Sequence, residues 1–465
     1  MKEKTVVSSD DIRSAFSAAM SAMYRSEVPA YGTLMDLVAE VNAEALAKDP
    51  DLAARLAETD QLSRISDERH GAIRLGLPSE LAMMRRVFAV MGMMPVGYYD
   101  LSTAGVPVHS TAFRPVGAAA LSGNPFRVFT SLLRLDLIED TALRAEAERI
   151  LSERQIFTPE AIALTERAEA EGGLSAEEAT RFVEAVLETF RWHDKAIVSP
   201  EMYRRLHDTH RLIADVVSFK GPHINHLTPR TLDIDAVQAR MPARGIEPKA
   251  VIEGPPTRAC PILLRQTSFK ALDEPVSFQG TDGTWQPGSH TARFGEIEQR
   301  GIALTPKGRA LYDRLLEESR KIVRPAADGS NARAYEAALA SAFATFPDSW
   351  EEIRAEGLGY FRYSPTELGR GADLSTGSVD ALLAEGLIQA DPIVYEDFLP
   401  VSAAGIFQSN LGDAAAQDFT ASPSQKRFET DLGQSVLDEF DHYAAIEAAS
   451  LEACRSGAAH AEAAE

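Results

Sequence analysis

The segment ERHGAIRLGLPSELAMMRRVFAVMGMMPVGYYDLSTAGVPVHSTAFRP, residues 68–115, changes its period along its length. ERHGAIRLG (68–76) alternates and reads as a strand. PSELAMMRRVFAVMGM (78–93) spaces its apolar residues as a helix does, behind a Pro-Ser opening. Proline suits that first position because its missing N–H has no partner there in any helix. PVGYYDLS (95–102) and PVHSTAFRP (107–115) return to strand texture. The same order recurs further on. IADVVSFK (213–220) reads as a strand and DIDAVQARM (233–241) as a short helix. PKAVIEG, PILLRQTSFKA, EPVSFQG and SHTARFGEIEQRGIAL follow as strands, separated by turns rich in Pro and Gly. A strand, a helix and then several strands are thus used twice.

Outside these two segments the texture is helical. The chain of 465 residues divides into an N-terminal helical region (1–64), a first βαβββ-like module (65–120) and a helical insertion (121–212). A second such module (213–305) and a C-terminal helical region (306–465) follow, the latter interrupted by a non-helical loop at 393–411. The expected fold class is α+β. A hydrophobic content of 45% is enough to bury a large core, and the formal net charge is -22. That charge argues against nucleic acid and against anionic membranes. It also requires a local cation wherever an anionic substrate binds. Two cysteines, Cys260 and Cys454, rule out a disulfide framework or a cysteine zinc site and fit a reducing cytoplasm. No run of about 18 apolar residues marks a membrane span.

The residues that carry chemistry are few. In the strand 68–76, Glu68, His70, Ala72 and Arg74 share one face, because side chains alternate along a strand. His70 can ligate a metal, and the planar fork of Arg74 is suited to grip a carboxylate further along. SFKGPHINHLTPR (218–230) places His223 and His226 between prolines, so that one of the two need point inward. In SHTARFGEIEQRG, His290, Ala292, Phe294, Glu296 and Glu298 share a face if the stretch is one strand. A buried glutamate calls for a cation, and spacing alone does not choose between Glu296 and Glu298. Two histidines and one carboxylate suit Fe(II), leaving positions open for substrate and O2. His109 is a candidate for lining the cavity, whereas His207 and His210 read as a solvated helix face. No Gly-rich phosphate loop and no nucleophile elbow is present.

The repeated βαβββ order resembles the plan of the vicinal oxygen chelate fold. ERHGAIR, MGMMPVGYYDLSTAGVPVHSTAFRP, FKGPHINHLTPRTLDID, ILLRQTSFKAL, GSHTARFGEIEQRG and VYEDFLPVSAAGIFQSNLG together resemble the 2-oxoadipate dioxygenase/decarboxylase family, also called hydroxyglutarate synthase. The resemblance runs over nearly the whole chain. It implies a non-haem Fe(II) enzyme that turns 2-oxoadipate and O2 into 2-hydroxyglutarate and CO2 in lysine breakdown, with no external co-substrate. It also implies a metal triad of His70, His226 and Glu296, which leaves Glu298 and His223 outside the ligand set. Arg74 then reads the distal carboxylate, and the loop around Val401 and Ser402 closes over the substrate. The alternatives are a Zn or Mn hydrolase or isomerase on the same scaffold, or a small-molecule binder without catalysis. The sequence leaves the oligomeric state open.

Overall fold

The computed structural model describes residues 6–58, 62, 64–66, 69–280, 283–326, 329–399 and 424–456. Glu68, Val401 and Ser402 therefore lie outside the described residues. The chain divides into two compact units. The first comprises Met1–Lys249, Gln266–Glu298 and Pro400–Val436, and the second Ala250–Arg265, Gln299–Leu399 and Leu437–Glu465.

The first unit is built on a five-stranded sheet of β1 (Arg69–Leu75), β2 (Met94–Asp100), β3 (Val108–Arg114), β4 (Arg127–Leu133) and β5 (His226–Pro229). The strands lie in the order β2-β3-β4-β1-β5. The helix Pro78–Val90 joins β1 to β2, and β1 runs parallel to β4 and antiparallel to β5. This is the expected βαβββ order, with its first strand set against its last. Every residue of β1, β3 and β4 is buried, so both faces of the sheet are covered. The N-terminal helices Ser9–Glu27 and Pro29–Lys48 contribute Phe16, Tyr24, Leu34 and Val41 to the same core. Tyr24 also ties that layer to the loops beside the site, donating toward Asn225 O at 3.0 Å and Phe294 O at 2.6 Å.

Some expectations about individual elements fail, and for physical reasons. β4 lies beyond residue 120, in the stretch read as helical. Because both of its faces are buried, FRVFTSLL does not alternate between apolar and polar, and that alternation is the signal by which a half-buried strand is found. IADVVSFK is not a strand: Arg211–Ser218 is a helix. Val216 and Val217 favour strand by propensity, but all of Leu212–Ser218 is buried, and His210 caps the helix by accepting from Leu212 N at 3.0 Å. Tertiary burial outweighs the few tenths of a kcal/mol that propensity supplies.

The second module accordingly opens at β5. It continues through the helix Ile234–Arg240, β6 (Leu264–Ser268), β7 (Asp273–Gln279), β8 (Trp285–Thr291) and β9 (Glu296–Arg300). PKAVIEG forms no strand; Pro248 makes only an isolated bridge to Phe269. SHTARFGEIEQRGIAL breaks in two, with β8 paired to β7 and β9 paired to β6. Gly295 stands at the break, where a Cβ would lie 2.2 Å from a ring carbon of Phe269. The backbone at the end of β5 meets β9 in parallel, through the Arg230–Glu298 bridge and a 2.7 Å bond from Thr231 N to Glu298 O. First strand beside last strand is thus repeated in the second module.

In the second unit the helices Pro306–Ile322, Ala332–Phe343 and Glu439–Ser456 accompany an antiparallel pair of strands, β10 (Phe361–Pro365) and β11 (Ile388–Pro392). No helix among the described residues is long and apolar enough to cross a membrane. The fold class is α+β, with the strand–helix–strands order used twice.

Candidate metal centre

β1, β5 and β9 each deliver one side chain to a common point. His70 lies opposite Thr228 across the β1–β5 pair, and His226 lies opposite Ala72. Opposed residues share a face, so His70, Thr228 and His226 project from the same side of the sheet. Glu296, the first residue of β9, meets them there. Its Oε2 is 3.0 Å from His70 Nε2, 3.4 Å from His226 Nε2 and 2.9 Å from Thr228 Oγ1. The ligand atoms of His70, His226 and Glu296 all lie within 4.8 Å of one another, and all three residues are buried. The two imidazoles stand perpendicular, with ring centroids 5.5 Å apart.

The polar bookkeeping of this cluster does not close within the protein. Glu296 Oε1 and His226 Nδ1 are buried without a hydrogen-bond partner among the described residues. Buried polar groups are nearly always paired, and an isolated buried charge is costly. Burial pushes the His226 imidazole down to about 3, and the Glu296 carboxylate only partly opposes this, so the ring is neutral with a lone pair to offer. Burial works against ionisation of Glu296, but His226 and His70 beside it hold its carboxyl below the usual range. Burial also lowers His70, and Glu298 and Glu296 more than offset it, so that its imidazole is held above its ordinary value. A carboxylate and two imidazoles that converge and keep a positive charge among them are a donor set for a borderline divalent cation.

Both glutamates of β9 take part, in different ways. Glu298 sits behind His70, with Oε2 2.9 Å from Nδ1, and its other oxygen lies 3.2 Å from Arg127 Nη1. A carboxylate in that place fixes the ring so that Nε2 faces the cluster.

Arg74 occupies the next stretch of the His70 face and is itself held. Its Nη1 lies 2.5 Å from Asp215 Oδ2. Asp215 Oδ1 lies 2.9 Å from His290 Nε2 and 3.3 Å from His223 Nε2. His290 Nδ1 in turn meets the Tyr203 hydroxyl at 2.8 Å. Burial would raise the Asp215 carboxyl, yet Arg74 and then His223 hold it well below its usual range. The structure thus separates the two histidines of SFKGPHINHLTPR. His226 joins the metal cluster and His223 joins the Asp215 cluster, at the strained backbone angle φ 25°. His290 does not continue the Glu296 face, since β8 ends before β9 begins. Asp215 was not singled out in the sequence. Its one signal was a charge inside the apolar run IADVV, which a strand reading would turn outward. His109 packs on Phe428 with ring centroids 4.7 Å apart and lies 3.4 Å from the Tyr98 hydroxyl. Burial, with Arg134 next, pushes it down to about 4.

Known proteins are similar to this chain almost end to end. The family described as 2-oxoadipate dioxygenase/decarboxylase matches residues 16–410. A 2-oxoadipate dioxygenase/decarboxylase of Pseudomonas putida is 57% identical over 457 residues, covering 98% of each chain. One from Escherichia coli is 56% identical over 451 residues, covering 96% of this chain and 98% of its own. Among solved structures, the hydroxyglutarate synthase of Pseudomonas putida in complex with 2-oxoadipate superposes with a TM-score of 0.91 at 56% identity. That match covers 98% of this chain and 99% of the other.

Proposed function

This chain belongs to the 2-oxoadipate dioxygenase/decarboxylase family, and on that premise we propose that His70, His226 and Glu296 hold an Fe(II) ion. It acts as a dioxygenase and decarboxylase on 2-oxoadipate. The six-carbon 2-oxo diacid and O2 become 2-hydroxyglutarate and CO2, which accounts for every atom without a second substrate. The observation that carries the metal assignment is the buried cluster whose Glu296 Oε1 and His226 Nδ1 lack partners among the described residues. When bound, the ion supplies Lewis acidity, a redox centre for O2 and a template for the 2-oxo acid.

The chain's own groups do the positioning. His226 presents a neutral imidazole, and Glu298 holds the His70 ring in register. Arg74 receives the distal carboxylate, with Asp215 anchoring one arm of its fork so that the guanidinium is oriented before substrate arrives. Burial of the three ligands keeps bulk water away from the reacting carbon. The reaction belongs to lysine breakdown in the cytoplasm.

O2 uptake decides the reading. With Fe(II) and 2-oxoadipate the protein consumes one O2 per CO2 released, needs no 2-oxoglutarate, and places an atom of ¹⁸O2 in the new hydroxyl. Turnover with Zn(II) and no O2 uptake would identify a hydrolase or isomerase instead, and binding without turnover would leave a binding protein.

A further inference from the structure

β6 and β9 run antiparallel, and backbone bonds near both ends set their register. Phe269 N donates to Gly295 O at 3.0 Å, and Gly301 N donates to Leu263 O at 2.8 Å. Counting inward from either bond puts Gln266 opposite Glu298 and Ser268 opposite Glu296. Opposed side chains in such a pair leave the same face with their Cβ atoms about 5 Å apart. Gln266 and Ser268 therefore stand on the face that carries the metal ligand Glu296.

Their polar atoms are unlike those of the residue between them. Thr267, on the other face, hydrogen-bonds Gln238. Gln266 is 1% exposed, and neither its Nε2 nor its Oε1 has a hydrogen-bond partner among the described residues. Ser268 Oγ is buried in the same condition. An amide buried with neither end paired carries the full desolvation penalty of a donor and an acceptor. Glu296, which Ser268 opposes, and His226 beside it on β5 each carry a buried unpartnered atom too, Oε1 and Nδ1. Unpaired groups gathered on one face of three neighbouring strands are the lining of a place for a polar ligand.

The geometry points to Gln266 as a substrate-binding residue, with Ser268 beside it, whose amide donates to the 2-oxo acid end of the substrate. The assignment to this end follows from position. Gln266 and Ser268 oppose the two glutamates that flank His70, so they reach what the ion holds. A carboxamide also suits the spot chemically. A further cation beside Glu296 would compete with the metal, and a further carboxylate would repel the substrate's own. The inference rests on the reading of the centre as a 2-oxo acid site.

Gln266→Met tests it, because it keeps the shape and removes both polar ends. Two changes of opposite sign are expected. Without substrate, the thermal midpoint rises by about 2 °C, since the orphan penalty is gone. Calorimetry on the iron-loaded protein without O2 shows affinity for 2-oxoadipate falling about tenfold at unchanged iron content. Affinity for 2-oxohexanoate falls by the same factor, because that acid shares the 2-oxo acid end and lacks the distal carboxylate. Ser268→Ala shows the same signs with a loss of about threefold. A lowered midpoint or failure to fold would make Gln266 structural and overturn the proposal. Unchanged affinity, lost iron, or a loss confined to 2-oxoadipate overturns it as well. The wild type separates this proposal from the one beneath it. Binding of both acids without O2 uptake would remove the proposed reaction and leave Gln266 standing; binding of neither would remove both.

Discussion

Asp215 and Glu296 are both buried carboxylates, and each touches two histidines. They differ in what completes the set. Asp215 has the Arg74 guanidinium on one oxygen and His290 and His223 on the other. Its charge is answered inside the protein by a permanent cation. Glu296 gathers His70, His226 and the Thr228 hydroxyl on one oxygen and leaves the other without a hydrogen-bond partner among the described residues. Burial does not distinguish the two, nor does the functional group. The pairing of the carboxylate does: both Asp215 oxygens are partnered within the protein, whereas Glu296 Oε1 has no hydrogen-bond partner among the described residues and lies in a donor set that suits a cation. A buried ion pair is poor evidence of function, but a buried, convergent donor set with unpaired atoms is good evidence of a ligand.

The hardest test of that contrast removes Glu296. Glu296→Ala should abolish iron uptake and lower the turnover rate about a thousandfold or more, the scale of several kcal/mol of lost metal catalysis. The metal-free protein should lose only about 1–3 kcal/mol of stability, the cost of leaving the Thr228 hydroxyl and the His70 N–H without the oxygen they share. Metal analysis beside a thermal melt reads both. If Glu296→Ala keeps its iron while Glu298→Ala loses it, the ligand set is wrong.

The Asp215 cluster should fail in the opposite way. Arg74→Ala leaves a buried carboxylate without its cation, which costs stability by about 3–5 kcal/mol, while iron content stays near wild type. On the substrate side, losing a charge-assisted pair to the distal carboxylate lowers kcat/KM for 2-oxoadipate by roughly 30-fold to several thousandfold. 2-Oxohexanoate, which has no distal carboxylate, should lose less. Equal losses on both acids would leave Arg74 as scaffold alone, a partner for Asp215 and nothing more.

How far each cluster could be read in the sequence follows from the same difference. The proposed metal ligands announced themselves through residue type: a histidine inside a strand, a histidine pair bracketed by prolines, and glutamates at alternate positions among apolar residues. β1 and its helix were legible because Pro78 and the helical spacing of 78–93 leave little choice. Choosing Glu296 over Glu298 was beyond spacing, since both are buried and both touch His70; the resemblance to the family supplied it. Asp215 was hidden because its segment carries strand-forming valines that burial folds into a helix. Gln266 gave no sign at all. Its partner across the sheet is Glu298, about thirty residues away in sequence, and that opposition exists only once β6 and β9 pair. The break at Gly295 was equally unreadable, because what forbids a side chain there is the ring of Phe269 on another strand.

Glu298 shares features of both clusters, and it gives the smallest and most discriminating effect. Like Asp215 it faces a guanidinium, with Arg127 Nη1 at 3.2 Å, and like Glu296 it faces His70, here at Nδ1 and 2.9 Å. Glu298→Gln keeps the size and removes the charge. The single amide oxygen can accept from the His70 N–H or from Arg127, but its NH2 end can accept from neither. One buried donor is then left facing another donor, which costs about 1–3 kcal/mol with or without metal. At the same time His70 loses the carboxylate that orients it and enriches its Nε2, so metal affinity should fall about 10- to 100-fold. The expected signature is therefore double: a lowered melting temperature in the metal-free protein, and a weaker ion in a competition titration against a chelator. Unchanged metal affinity beside lost stability would place Glu298 wholly with the closed cluster. Weaker metal with unchanged stability would place it wholly with the open one. Both effects together would make it the joint between them, a scaffold pair on the Arg127 side and a support for the metal ligand on the other.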